Sequence, residues 1–201
     1  VEGSDVVIHL AALLGVANTE EKRLDCLNIN IQGTVNILNA CVSDKVKKIV
    51  FASSSEVYGD QQKLPIAEDN PLNPKSIYAV TKLAGEEYVR AYAGRYGMEH
   101  VIVRLFNAYG AGQVGQFVMS RFVKAALEGK PPTLFGDGTQ VRAFCYGTDI
   151  ADGIILGIFS KKAVGETINL GNDTEPISMR EVAERVVRIS GNKKLKIITA
   201  K

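Results

Sequence analysis

The sequence is poor in the residues that build cross-links and metal centres. Cysteine occurs three times, at Cys26, Cys41 and Cys145. An odd count without a CxxC spacing suggests neither a disulfide framework nor a zinc site, and it fits reduced thiols in a cytoplasmic protein. Histidine occurs twice, at His9 and His100, in no HxxxH or HxxE pattern, so no residue is assigned to a metal. The longest apolar run, residues 6–17, contains His9 and is too short to cross a bilayer; it also lacks the basic start of a signal peptide. A net charge of +2, evenly spread over 201 residues, gives no electrostatic footprint for nucleic acid or for a membrane surface. The basic end, Lys193, Lys194, Lys196 and Lys201, reads as a solvated face or tail.

What is present is an ordinary globular balance, 46% hydrophobic and 23% charged, arranged as alternating strands and helices. Residues 5–12 read as a buried strand, residues 23–44 as a helix with Leu24, Leu27, Ile31, Val35 and Leu38 on one stripe, and residues 46–52 as a second strand. Residues 76–96 form a second long helix closed by Gly97, and residues 100–106 a third strand. Such alternation implies parallel strands joined by right-handed crossovers, an α/β doubly wound sheet. From Asn107 the texture changes to a glycine-rich loop, a helix over residues 116–128, short strand-like pieces near Gly136-Asp137-Gly138, a helix starting at Thr148-Asp149, a strand over residues 166–170, and a helix opened by a Ser178/Glu181 capping box.

Two places carry candidate chemistry. Tyr78 and Lys82 stand four apart in a helix, so their side chains share a face, and an ammonium near a phenol favours the phenolate that general-base work requires. Taken alone, the pair is as easily a chance match. The stretch Ser53-Ser-Ser-Glu-Val-Tyr-Gly-Asp60 ends a buried strand just before the crossover that delivers Tyr78, where open α/β sheets place their ligands. A hydroxyl there can bond the oxygen that a tyrosinate deprotonates, or the serines can simply cap a turn.

In this setting the chain resembles the extended short-chain dehydrogenase/reductases that act on nucleotide sugars as epimerases, dehydratases and decarboxylases. The residues that carry the resemblance are His9-Leu-Ala-Ala12, Asn30 with Gly33-Thr34, the serine stretch ending Val57-Tyr-Gly59, Tyr78-x-x-x-Lys82, Arg104-Leu-Phe-Asn107-x-Tyr-Gly110, and Gly136-Asp-Gly138 followed by Arg142-x-Phe144. The resemblance implies a Rossmann-like sheet over residues 1–106 and 147–170 that binds NAD, and an interleaved nucleotide-sugar module over residues 107–146 and 171–201. Its implied cofactor contacts are Leu10, Ala11, Ala12, Asn30, Ser53, Tyr78, Lys82 and Phe106. Tyr78 would be the acid/base and Ser54 its hydroxyl partner on the sugar, while Asn107 and Arg142 would hold the nucleotide sugar, the guanidinium suiting a diphosphate. Family members open with a strand and a GxxGxxG turn, here not found, so the first βαβ unit is expected to lie on a longer chain, and the sequence by itself is expected to bind NAD poorly. A homodimer through helices 23–44 and 76–97 is implied as well.

The reaction stays open between related alternatives. Tyr78 would take a proton from the C4 hydroxyl of a UDP-hexose, and a 4-keto sugar could be reduced on its other face, which is 4-epimerisation. Dehydratases of the dTDP-glucose type place Asp-Glu where this chain has Ser55-Glu56. UDP-glucuronate decarboxylases share a Ser-Glu-Val-Tyr-Gly-Asp stretch but carry Asp-Glu-Gly where this chain has Ala79-Val80-Thr81. Departures from common patterns are Gln32, Ala111 and Ala143, standing where asparagine, proline and an acidic residue are usual. The epimerase is the leading reading, a decarboxylase or 4,6-dehydratase using Glu56 the second, and a non-catalytic dinucleotide-binding regulator the third.

Overall fold

The computed structural model describes residues 1–192 and 194–200; of the basic carboxyl end, Lys193 and Lys201 lie outside the described residues. The chain separates into two compact units, Val1–Phe106 with Thr148–Leu170 and Asn107–Gly147 with Gly171–Lys201.

In the first unit, strand β1 (Val6–His9) leads through α1 (Val16–Glu21), α2 (Arg23–Leu27), a π-helical turn over Asn28–Gln32 and α3 (Gly33–Ser43) to β2 (Lys48–Ser54). Helix α4 (Ile77–Tyr96) and strand β3 (Glu99–Leu105) follow. After the excursion into the second unit, which contributes β4 (Ala108–Tyr109), α5 (Val118–Leu127), β5 (Thr133–Phe135), β6 (Val141–Ala143) and β7 (Cys145–Tyr146), the chain returns through α6 (Gly147–Phe159) and β8 (Thr167–Leu170). The four strands pair in the order β1-β2-β3-β8, all parallel, so β1 forms an edge; the buried strand expected over residues 5–12 is shorter, ending at His9, and only His9 of it is buried, because an edge strand is covered less than a central one. Every residue of β2 is buried, as a central parallel strand covered on both faces must be.

One helix expected over residues 23–44 is instead a broken helical path. A hydrophobic stripe specifies which face is buried, but not the register slip that a polar side chain demands. Asn30 lies in the π-helical turn, buried among polar partners, and such one-turn bulges re-aim a side chain without ending the helix. Helix α4 starts where its cap says: Ser76 accepts from the Ala79 amide at 3.1 Å, and Gly97 closes it in the left-handed region at φ 69°.

Side chains alternate along β2. Ile49 and Phe51 join Leu38, Cys41, Val89 and Ile102 in an apolar core under α3 and α4. The opposite face, with Val50 and Val101 in register, receives α6, whose Gly157 meets Val101. Helix α4 comes unusually close to β2 because Gly85 lies over the Phe51 ring; a Cβ there would stand 2.4 Å from the ring.

The second unit is built from short pairs: β4 beside β7, β5 beside β10 (Ile198–Ala200), and β6 antiparallel to β9 (Pro176–Ser178). Its core of Phe122, Leu134, Ile177, Val182 and Ala183 is closed by α7 (Met179–Ile189), whose Ser178/Glu181 capping box is formed in both directions. Among the described residues, no helix is long and apolar enough to cross a membrane.

The Gly85 contact gives a stability test. Gly85→Ala adds helix propensity but overpacks against a fixed ring, and the second effect is the larger, so a net loss of about 1–2 kcal/mol is expected in urea denaturation.

Candidate active site

The site grows from the carboxyl end of β2. Two consecutive residues of that strand bond α4: the Ala52 carbonyl accepts from Lys82 Nζ at 2.7 Å, and the Ser53 hydroxyl donates to Glu86 at 2.5 Å. The next hydroxyl, Ser54, caps the following turn by accepting from the Glu56 amide at 3.2 Å and stands near enough to the Tyr78 phenol to favour its ionisation. Tyr78, Lys82 and Glu86 are spaced by one helical turn each, so the face of α4 turned to β2 is the reactive one. After Ser54 the chain makes a tight turn over Ser55–Tyr58, closed by Gly59 at φ 61°, where a side chain would collide with the Asn73 carbonyl. That collision explains the glycine of the Val-Tyr-Gly motif.

The electrostatics differ from the simple pairing expected of Tyr78 and Lys82. Burial first, then the negative charge of Glu56, pushes the Tyr78 phenol well above its ordinary range, and the nearby Ser54 hydroxyl only partly opposes this. Lys82 does not reverse it, because its ammonium is engaged by Ala52 and stands 5.7 Å from the centre of the Tyr78 ring. Burial also works against the lysine, lowering it to about 8. In the protein alone Tyr78 is therefore a phenol at neutral pH, while Lys82 is a weakened cation. Glu56 accepts from the Ser76 hydroxyl at 2.8 Å, which ties it to the cap of α4.

Leu10, Ala11 and Ala12 form the loop after β1, with Leu10 54% exposed, and offer an apolar surface at the carboxyl end of the sheet. Asn30 supports this loop from below. Its side-chain oxygen accepts from the Leu13 amide at 2.7 Å, and its amide group donates to the Leu13 carbonyl and to Thr81. His9 is paired with Thr34 at 3.1 Å, and the Thr34 hydroxyl donates to the Asn30 carbonyl, so two motifs distant in sequence form one structure. Burial and the nearby Lys82 cation both keep His9 neutral. Phe106, half-buried beyond β3, stands 6.3 Å from the Tyr58 ring. The side chains of Asn30 and Ser53 are thus committed to protein partners, and of the residues expected at the cofactor, Leu10, Ala11, Ala12, Tyr78, Lys82 and Phe106 keep free surface or donors.

In the second unit Asn107 has φ 34° and donates to the Ala143 carbonyl at 3.0 Å, which brings it beside the neighbour of Arg142 in sequence. Arg142 is exposed; it donates to the Val141 carbonyl and pairs with no carboxylate among the described residues, so its charge is not consumed by a surface ion pair.

Sequence reasoning passed over the polar cluster behind these residues. Glu86 is fully buried, accepts from Arg104 through both oxygens at 2.9 and 2.8 Å, and is bonded by Arg90 at 3.1 Å. Arg104 continues to the Tyr58 hydroxyl at 2.8 Å, and that hydroxyl donates to Asn169 at 2.7 Å. The signal was a carboxylate one turn beyond Lys82 on the same helix face, together with an arginine inside an apolar strand.

Residues 1–171 match the family described as "NAD dependent epimerase/dehydratase family". The chain is 40% identical over 189 residues to UDP-glucuronate 4-epimerase of Thermodesulfobacterium geofontis, covering 93% of this chain and 57% of that protein. It is 39% identical over 195 residues to UDP-N-acetyl-alpha-D-glucosaminuronate decarboxylase of Bacillus cytotoxicus, covering 92% of this chain and 59% of that protein. Among solved structures, UDP-glucuronic acid 4-epimerase from Bacillus cereus, in complex with UDP-glucuronic acid and NAD, superposes with a TM-score of 0.89 at 36% identity, over 98% of this chain and 62% of that one. The chain spans about six-tenths of the length of the curated relatives it matches.

Lys82 supplies a test by linkage. Its folded value near 8 lies below the ordinary lysine value, so between these two pH values the unfolded chain holds the extra proton and stability rises with pH. Lys82→Met is expected to stabilise the NAD-free protein by about 1–3 kcal/mol at pH ~7, and this gain should shrink toward pH ~10; denaturation at the two pH values checks both.

Proposed function

The chain belongs to the NAD dependent epimerase/dehydratase family, and from that premise we propose that the protein containing it is an NAD-dependent 4-epimerase of a UDP-hexose. The observation that carries the reading is the meeting of Ser54, Tyr78 and Lys82 at the carboxyl end of a buried parallel strand. The donor set fits a nicotinamide dinucleotide. An ammonium has three protons, Ala52 takes one, and the others suit ribose hydroxyls, while Leu10, Ala11, Ala12 and Phe106 offer apolar surface to the rings. When bound, NAD supplies a reversible hydride acceptor and brings positive charge.

Tyr78 moves the proton at the sugar C4 hydroxyl through its phenolic oxygen, and Ser54 holds the same hydroxyl in line. Since burial and Glu56 raise Tyr78 in the protein alone, its use as a base depends on positive charge arriving nearby. Asn107 and Arg142 are assigned to the nucleotide sugar, the guanidinium to its diphosphate. Glu56 supports epimerisation over the reactions that need a further acid or base, because its carboxylate already serves the Ser76 cap. The decarboxylase reading stays as the second, on the proximity of the same carboxylate to Tyr78 and on the decarboxylase relative. A homodimer through residues 23–44 and 76–97 is part of the proposal; Leu24, Ile29, Val80 and Tyr88 are large apolar residues exposed on those segments.

With the intact protein, UDP-glucose, UDP-glucuronate and their N-acetylated counterparts are to be followed by NMR; one should change configuration at C4, and release of CO2 or water without an epimer would overturn the reading. Tyr78→Phe should lower kcat by about 10²–10⁴-fold with the fold intact. Glu56→Gln should keep turnover and move the acid limb of the pH profile to lower pH, since it removes a charge that raises Tyr78; if it abolishes turnover, the second reading takes over. Light scattering at micromolar concentration should give a dimer mass.

A further inference from the structure

We propose that Glu86 is a positioning residue for the reaction at Tyr78: by gripping the Ser53 hydroxyl and the Arg104 guanidinium together, it fixes the end of β2, and with it Ser54, against the helix that carries Tyr78 and Lys82. The inference rests on the acid–base reading of Tyr78 given above.

The geometry leads there in three steps. Ser53 is directly bonded to Glu86, and the next residue, Ser54, caps the turn that follows and stands near Tyr78, so any slip of β2 along α4 breaks the Ser53 bond and carries Ser54 away from Tyr78 with it. Ser53 is in register with Arg104 across the β2–β3 ladder, and Arg104 grips the same carboxylate through two nitrogens; strand, neighbouring strand and helix therefore converge on one buried group. The grip continues outward, because Arg104 also bonds Tyr58, at the end of the Ser54–Tyr58 turn, and the Glu68 carbonyl of the loop that leads on to α4. Apolar contacts such as Phe51 on Gly85 set the spacing of β2 and α4 but allow sliding, whereas a bidentate ion pair with a hydroxyl on the third side has one geometry. Reactions that depend on oriented groups are sensitive to displacements of about 1 Å, which can cost on the order of a hundredfold in rate.

The test uses the intact protein with whichever UDP-sugar it turns over. Ser53→Ala removes one hydrogen bond and leaves the ion pair; it should lower kcat about tenfold, change KM less than about threefold, and leave the melting temperature within a few degrees. Glu86→Gln keeps size and one acceptor and should lower kcat further. In both variants the acid limb of the kcat profile should move to higher pH, as Ser54 shifts away from Tyr78 and no longer favours its ionisation. Wild-type kcat and an unmoved limb in folded Ser53→Ala and Glu86→Gln, beside an inactive Tyr78→Phe, would overturn the positioning role alone. Activity that falls only in proportion to the folded fraction would overturn it as well. Wild-type turnover in Tyr78→Phe would overturn the acid–base reading and this inference with it.

Discussion

A carboxylate shut off from water is the constraint around which the first unit is organised. Burying a charge costs several kcal/mol unless partners replace its hydration, and removing one partner of such a pair is far more damaging than never having built it. Glu86 satisfies the requirement with Arg104, Arg90 and Ser53, drawn from β3, α4 and β2, and these bonds outweigh the desolvation that would otherwise raise its pKa. From Arg104 the network runs through Tyr58 to Asn169 on β8, and Asn169 in turn holds the Ile66 carbonyl and the Glu68 carboxylate of the long loop. The reactive end of the unit thus has a polar core. The far end, where Leu38, Cys41, Val46 and Met98 cluster, has an apolar one. Apolar packing gives the unit its stability, and the polar end restricts it to one arrangement of β2, β3, β8 and α4.

The same end holds groups that are poorly served by the protein alone. Tyr78 is buried beside a negative charge, and Lys82 is buried with its ammonium on a single carbonyl. Tyr78 thus sits in the protonation state that suits a base less well, and Lys82 keeps its working charge only against the cost of burial. Such mismatches are what a site shows when part of its electrostatic complement arrives with a ligand. His9, Thr34 and Asn30, in contrast, are fully matched to one another, and they hold the Leu10–Leu13 loop in place without contributing a free donor.

Much of this was legible in the residues. Continuous apolar runs marked β2 and β3 and the start of β1, and Gly97 and the Ser178/Glu181 box fixed helix ends, because those signals are local. The break of residues 23–44 around Asn30 was not legible, since it answers to Leu13 and Thr81, which are distant in sequence. Ser53 and Ser54 look alike as letters; strand alternation sends one hydroxyl under α4 to Glu86 and leaves the other at the strand end, where it caps the next turn. The sign of the Tyr78 shift is hidden in the residues for a related reason. Spacing places Lys82 on the same face, but it does not reveal how deeply the pair is buried or that Glu56 stands close by. Arg104 was visible as part of a motif, but its function as the counter-ion of Glu86 emerged only when β3 was laid beside β2.

The edge position of β1 has a practical side. Among the described residues no strand pairs with the backbone donors and acceptors of its outer rim, and Ile8 and Leu10 are 43% and 54% exposed beside it. A parallel edge flanked by apolar side chains, with no proline within β1, is a template for strand addition. Handled as an isolated polypeptide, this chain would carry its own nucleus for intermolecular β-pairing, and a charged residue in place of Ile8 is the simplest gatekeeper against aggregation during expression.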